Sequence, residues 1–192
     1  NGTVYVGKRL RSKEGNKYYL TVLKPSGREE HQVKLRSRKI ADVSFGLSED
    51  GSLIAAGFYA SYAKLNFEGA FNMKFKESAI AAHSKEFMLP ENSITTFKSK
   101  KEISKTGHGL NKFHVKKLIV TENGSTYLIA EHYDMVKDGS ALTDSRDGVL
   151  VIKYSKTGDF LWSAPIVMNQ IDEDHKGYWS SALFFGDDNK MS

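Results

Sequence analysis

The sequence predicts an all-β chain made of β-propeller blades, each of four antiparallel strands, and three observations carry that reading. Residues Ile40–Ser61 (IADVSFGLSEDGSLIAAGFYAS) align without a gap to Phe113–Asp134 (FHVKKLIVTENGSTYLIAEHYD), with Asp50-Gly51 on Asn123-Gly124, an offset of 124 − 51 = 73 residues. Self-similarity at a fixed period marks a repeat architecture. The Asp-Gly and Asn-Gly pairs lie between apolar stretches, the composition expected of type I′ hairpins, whose two central residues need positive φ. After each turn comes a near-continuous apolar run, which suits a strand covered on both faces.

The elements follow in order. Asn1-Gly2 fits the same turn, and Val4–Gly7 falls where Leu53–Ala56 and Tyr127–Ala130 stand. A second strand is expected at Tyr18–Lys24, Ala70–Lys76 and Val149–Ser155, with Ser26-Gly27 matching Thr157-Gly158 as the next turn. A short outer strand follows at Gln32–Leu35, Phe87–Leu89 and Phe160–Trp162, the last two closed by Pro90 and Pro165. Proline suits an outermost strand, where its missing donor faces solvent. Residues 91–106 (ENSITTFKSKKEISKT) have helical character, with Asn92 or Ser93 as cap, Ile94, Phe97 and Ile103 facing the sheets, and the lysines outward. The chain thus divides into a partial blade at 1–39, a complete blade at 40–90, a linker at 91–112, a complete blade at 113–170 and the start of another at 171–192. Running from mid-blade to mid-blade, it is expected to be a section of a larger propeller or one completed by another copy, since closed propellers have four or more blades.

The 192 residues carry a net charge of +5, unevenly placed. Residues 1–40 hold eleven Lys or Arg against Glu14, Glu29 and Glu30, giving +8 and leaving −3 for the remainder. Clustered cations are the footprint of nucleic-acid binding. No base-stacking aromatics interleave these clusters and no nucleic-acid module is present, so they read as a solvated face and as lysine protection of strand edges. The absence of cysteine excludes disulfides, thiol catalysis and zinc ribbons. No apolar stretch approaches the roughly 18 residues of a membrane-spanning helix.

The string GHGLNKFHVKKLIVTENGSTYLIAEHYD, then DGVLVIKYSKTGDFLWSAPIVMNQ, then GYWSSALFFGDDNKM resembles uncharacterised β-propeller proteins (WD40- or kelch-like) of bacterial cell envelopes. The likeness covers about Gly107 to Met191 and lies in the acidic aromatic strand LIAEHY, the strand opening on Asp-Gly, the Trp after the turn, the following Pro and Gln, and the final Asn-Asp segment. It implies an extracytoplasmic location and association with other envelope proteins, and it carries no activity.

The most polar blade segment is Glu131-His132-Tyr133-Asp134, leading into the insertion MVKDGSALTDSRDG. A ligand site is expected there from His132, Tyr133, Asp134, Asp144 and Asp147, with Arg146 for an anionic group and Trp179 offering a stacking face to a sugar or peptide. The insertion lacks the D-x-D-x-D-G pattern of a calcium loop, and the six histidines show no metal-ligand spacing, so no metal or cofactor is expected. No G-x-S-x-G elbow, P-loop or dinucleotide fingerprint is present. Asp134 and Asp147 are the pair of choice if the chain hydrolyses a glycoside. The expected function is therefore a non-catalytic scaffold presenting loops to a protein or glycan, with a polysaccharide-cleaving enzyme as the alternative.

Overall fold

A computed structural model describes residues 2–12, 15–60, 66–138 and 141–172. They form three antiparallel sheets and two short helices. The first sheet joins β1 (Val4–Ser12), β2 (Gly15–Lys24) and β3 (Gly27–Val33) in chain order. The second is the meander β4 (Lys39–Leu47), β5 (Leu53–Ala60), β6 (Phe67–Phe75) and β7 (Ala81–Met88). In the third, β8 (Phe113–Val120), β9 (Thr126–His132), β11 (Ala141–Tyr154) and β12 (Phe160–Asp172) pair in that order, and β10 (Asp134–Asp138) adds to the leading half of β11.

The 73-residue offset is kept in the pairing. Leu47 faces Leu53 in the second sheet, and Val120 faces Thr126 in the third. Leu53 then faces Phe75 as Thr126 faces Tyr154, and the outer strands break register at corresponding places, next to Phe75 and next to Tyr154.

The turns differ from the expected type I′. In Ser48–Ser52 the N–H of Gly51 donates to the Ser48 carbonyl and the N–H of Ser48 to that of Ser52, and Thr121–Ser125 and Ser155–Asp159 repeat both bonds. Positive φ falls on the glycine alone, at 74° for Gly51, 80° for Gly124 and 78° for Gly158. This is a three-residue loop with its glycine in the left-handed region. The side chain before the glycine explains why: Asp50 Oδ1 accepts from Ser52 N–H at 3.0 Å and Asn123 Oδ1 from Ser125 N–H at 2.9 Å. The matched Ser26-Gly27 is no such turn, because the chain reverses at Pro25-Ser26 and Gly27 already pairs with Lys24.

The three sheets stack in chain order. Tyr18, Leu20 and Val22 of β2 pack on Leu53, Ala55, Tyr59, Phe71, Met73 and Phe75. On the other face of the second sheet, Ile54, Ala56, Phe58 and Ala70 meet Leu118, Leu128, Ala130, Leu150, Ile152 and Tyr154. Successive residues of a strand point to opposite faces, so a strand between two cores is apolar throughout. Every residue of β5 is buried, as the apolar run predicts. β1 departs from that expectation, because its edge away from β2 carries no strand among the described residues and Val4, Val6 and Leu10 stay exposed.

The second and third sheets come together at their leading strands, β4 against β8, while the first sheet meets β4 through its middle strand, β2. Gly46 permits the first approach, since a Cβ there would stand 2.9 Å from Val120 Cγ2. Asp42 fastens it: Oδ2 accepts from the Val115 N–H at 2.9 Å and Oδ1 from the Val43 N–H at 3.0 Å. Tyr18 Oη donates to the Ala41 carbonyl and ties the first sheet to β4.

Two further expectations are corrected. The outer strands β3, β7 and β12 are longer than predicted, and Pro165 lies inside β12 opposite Leu150 rather than closing it. Residues 91–106 split into α1 (Glu91–Thr95), entered from Pro90, and α2 (Lys100–Thr106), capped by Ser99 in a capping box with Glu102. Asn92 and Ser93 lie inside α1. Ile94, Phe97 and Ile103 do pack on the core, but Lys98 is buried, donating to Thr106 Oγ1 at 2.8 Å and the Gly109 carbonyl at 2.9 Å, and burial lowers its pKa. No helix among the described residues is long and apolar enough to cross a membrane.

Candidate functional site

The insertion after β9, where the sequence places a ligand site, is largely strand among its described residues. β11 pairs with β9 only over Val149–Tyr154. Ahead of that it runs between β10 on one side and β12 on the other, so β10, β11 and β12 form a tongue beyond the end of β8 and β9. Polar residues enter strands when cross-strand partners stabilise them, which local propensity does not reveal.

The tongue brings together four of the expected site residues along the backbone. Asp134 pairs with Ser145, and Asp144 lies between Met135 and Asp172. Arg146 pairs with Gln170, and Asp147 sits at the register break before Gly148. His132 ends β9 and Tyr133 links it to β10, so both stand at the tongue's base. The His132 ring is 5.2 Å from that of Phe113 and is half-buried. Tyr133 turns its ring to His114 at 6.3 Å, and its N–H donates to the Lys112 carbonyl at 2.9 Å. Next to them Glu131 is buried and its Oε2 stands 3.1 Å from Lys116 Nζ. Trp179 lies outside the described residues. Among the described residues no group of three or more His, Cys, Asp or Glu could hold a metal ion.

Sequence reasoning missed a second location. Lys34, Leu35, Arg36 and Arg38, in the connection from β3 to β4, wall a cleft of about 560 Å³, lined also by Asn16, Lys17, Tyr18, Gln32, Val33, Lys39 and Ile40. Its cations are Lys17, Lys34, Arg36, Arg38 and Lys39, and no carboxylate lines it. Arg38 is fixed: Nη1 is 3.2 Å from Glu68 Oε2, Nε is 3.4 Å from Glu86 Oε2, and the guanidinium stacks 4.5 Å from the centre of the Tyr59 ring. Tyr59 Oη donates to the Phe87 carbonyl at 3.0 Å, and burial raises its pKa. The +8 charge of residues 1–40 was the signal for this cleft, but spacing along the chain does not say which cations share a wall.

No protein-family model and no curated protein matches the chain.

Proposed function

We propose that the protein is an extracytoplasmic β-propeller scaffold that binds a protein or glycan partner without catalysing a reaction. Each sheet is a blade, its leading strand lies near the propeller axis, and further blades complete the ring. What supports the blade reading is the convergence of the sheets on β4 and β8, joined at Asp42 and Val115, positions separated by the 73-residue offset. Sheets of a plain sandwich stay about 10 Å apart across their whole faces. The extracytoplasmic placement and association with other envelope proteins rest on the sequence resemblance.

The observation that carries the binding role is the tongue. Its strands extend past the rest of their sheet, and Asp134, Asp144, Arg146 and Asp147 fall on that extension. Binding residues concentrate on segments positioned by a rigid scaffold. The test replaces residues 135–146 with a two-residue Asn-Gly turn and compares both proteins on an immobilised panel of envelope polysaccharides and on cross-linked envelope fractions. The expected result is saturable binding by the wild type, its loss in the shortened protein, and an unchanged far-UV circular dichroism spectrum for the remaining sheets. Equal binding by both proteins, or no binding by either, contradicts this role. Release of new reducing ends from a polysaccharide on the panel favours the enzyme over the scaffold.

A further inference from the structure

We propose that the cleft between the first and second sheets binds a small multivalent oxyanion, a ligand bearing two or more phosphate, sulfate or carboxylate groups. This site is separate from the tongue and does not depend on the blade reading. The volume of about 560 Å³ lies within the range of small-molecule sites, roughly 300–1,000 Å³. Five cations and no carboxylate line it. The two glutamates of the adjoining β3 do not neutralise it, because Glu29 pairs with Lys24 and Glu30 with Arg28. Arg38 is already balanced by Glu68 and Glu86, which makes it a fixed wall.

Lys34 and Arg36 do the binding. They are exposed at alternate positions around the buried Leu35, and among the described residues neither forms an ion pair. Like charges gathered in a concave site repel one another and focus a positive potential, which an anion relieves. The guanidinium of Arg36 offers a planar fork matched to two oxygens of one oxyanion, and Lys34 a point charge for a second group. Asn16 and Gln32 add neutral amide donors to the lining.

The experiment titrates the full chain with inorganic pyrophosphate and with citrate, read by calorimetry and thermal midpoint, using sodium chloride at matched ionic strength as control. The expected result is saturable one-site binding of at least one probe with a raised midpoint; either preference supports the site and names its oxyanion chemistry. The double variant Lys34→Glu/Arg36→Glu is expected to weaken binding by about tenfold or more, the worth of one good charge-assisted contact. Lys100→Glu/Lys101→Glu on α2 makes the same charge change elsewhere and is expected to leave affinity within about twofold. Should the reversal variant fail to fold, Lys34→Gln/Arg36→Gln takes its place. A midpoint shift no greater than that of chloride, unsaturable binding, or equal weakening by the α2 variant overturns the proposal.

Discussion

Asp42 commits both carboxylate oxygens to backbone N–H groups, one on its own strand and one on the neighbouring sheet. A hydrogen bond to a charged group contributes about 1.5–3 kcal/mol, and its loss leaves the Val115 N–H unsatisfied. Asp42→Ala is therefore expected to destabilise the protein by about 1–3 kcal/mol in urea unfolding, with Asp42→Asn losing less because it keeps a carbonyl acceptor. His83 marks a second junction. Its Nε2 and Asn72 Oδ1 each lie 2.8 Å from where a Cβ on Gly158 would stand, and Asn72 Nδ2 donates to Thr126 Oγ1. Burial, then Lys85 and Lys74, lower the His83 pKa, with Lys76 adding to the effect and Asp159 opposing it. A depressed folded-state pKa means that the unfolded chain takes up the proton first, so stability rises with pH through that window. The His83 contribution is thus complete above the unfolded value of about 6.5 and declines as pH falls below it. Unfolding measured from pH 7.5 to 5 is expected to show this loss, and His83→Asn to remove that part of the slope.

Among the elements, the glycines separate two kinds of constraint. A Cβ on Gly57 would meet the Asp42 carbonyl oxygen at 2.0 Å, backbone that cannot yield without moving β4. Gly51 has open space around it but a φ of 74°. Gly57→Ala is expected to cost about 1–3 kcal/mol by overpacking and to disturb the β4–β5 amide shifts in an NMR spectrum. Gly51→Ala is expected to cost about 1 kcal/mol with the shifts preserved outside the turn. The order of strands and the repeat offset were legible because apolar runs and turn glycines are local signals that the pairing preserves. The tongue was not, since Thr143–Arg146 is polar and becomes strand by pairing with β10 and β12. Lys98 was not either: it lies between α1 and α2, and its amine is satisfied by Thr106 and Gly109, partners that charge spacing along the chain does not indicate. For the site, the sequence marked the segment His132–Asp147 without the strand pairing that shapes it, and it registered the charge of residues 1–40 without the cleft that gathers it.

At the scale of the whole molecule, the second and third sheets meet at their leading strands, the contact that the proposed blade architecture requires. The second and third sheets each have that leading strand, in β4 and β8. The first sheet stops at β1 among the described residues, with exposed apolar side chains on a strand whose outer edge is unpaired there. Such an edge invites strand addition, and in a propeller the added strand occupies the axial position beside β4. Amide hydrogen exchange of β1 in the protein as isolated tests this most directly. In an antiparallel strand alternate N–H groups face β2 and the rest face outward. On the proposed blade architecture the expected result is slow exchange for both sets along Val4–Ser12, because a strand added at that edge pairs the outward amides. Protection of only the amides facing β2, with the outward set exchanging at open-chain rates, would contradict the blade architecture.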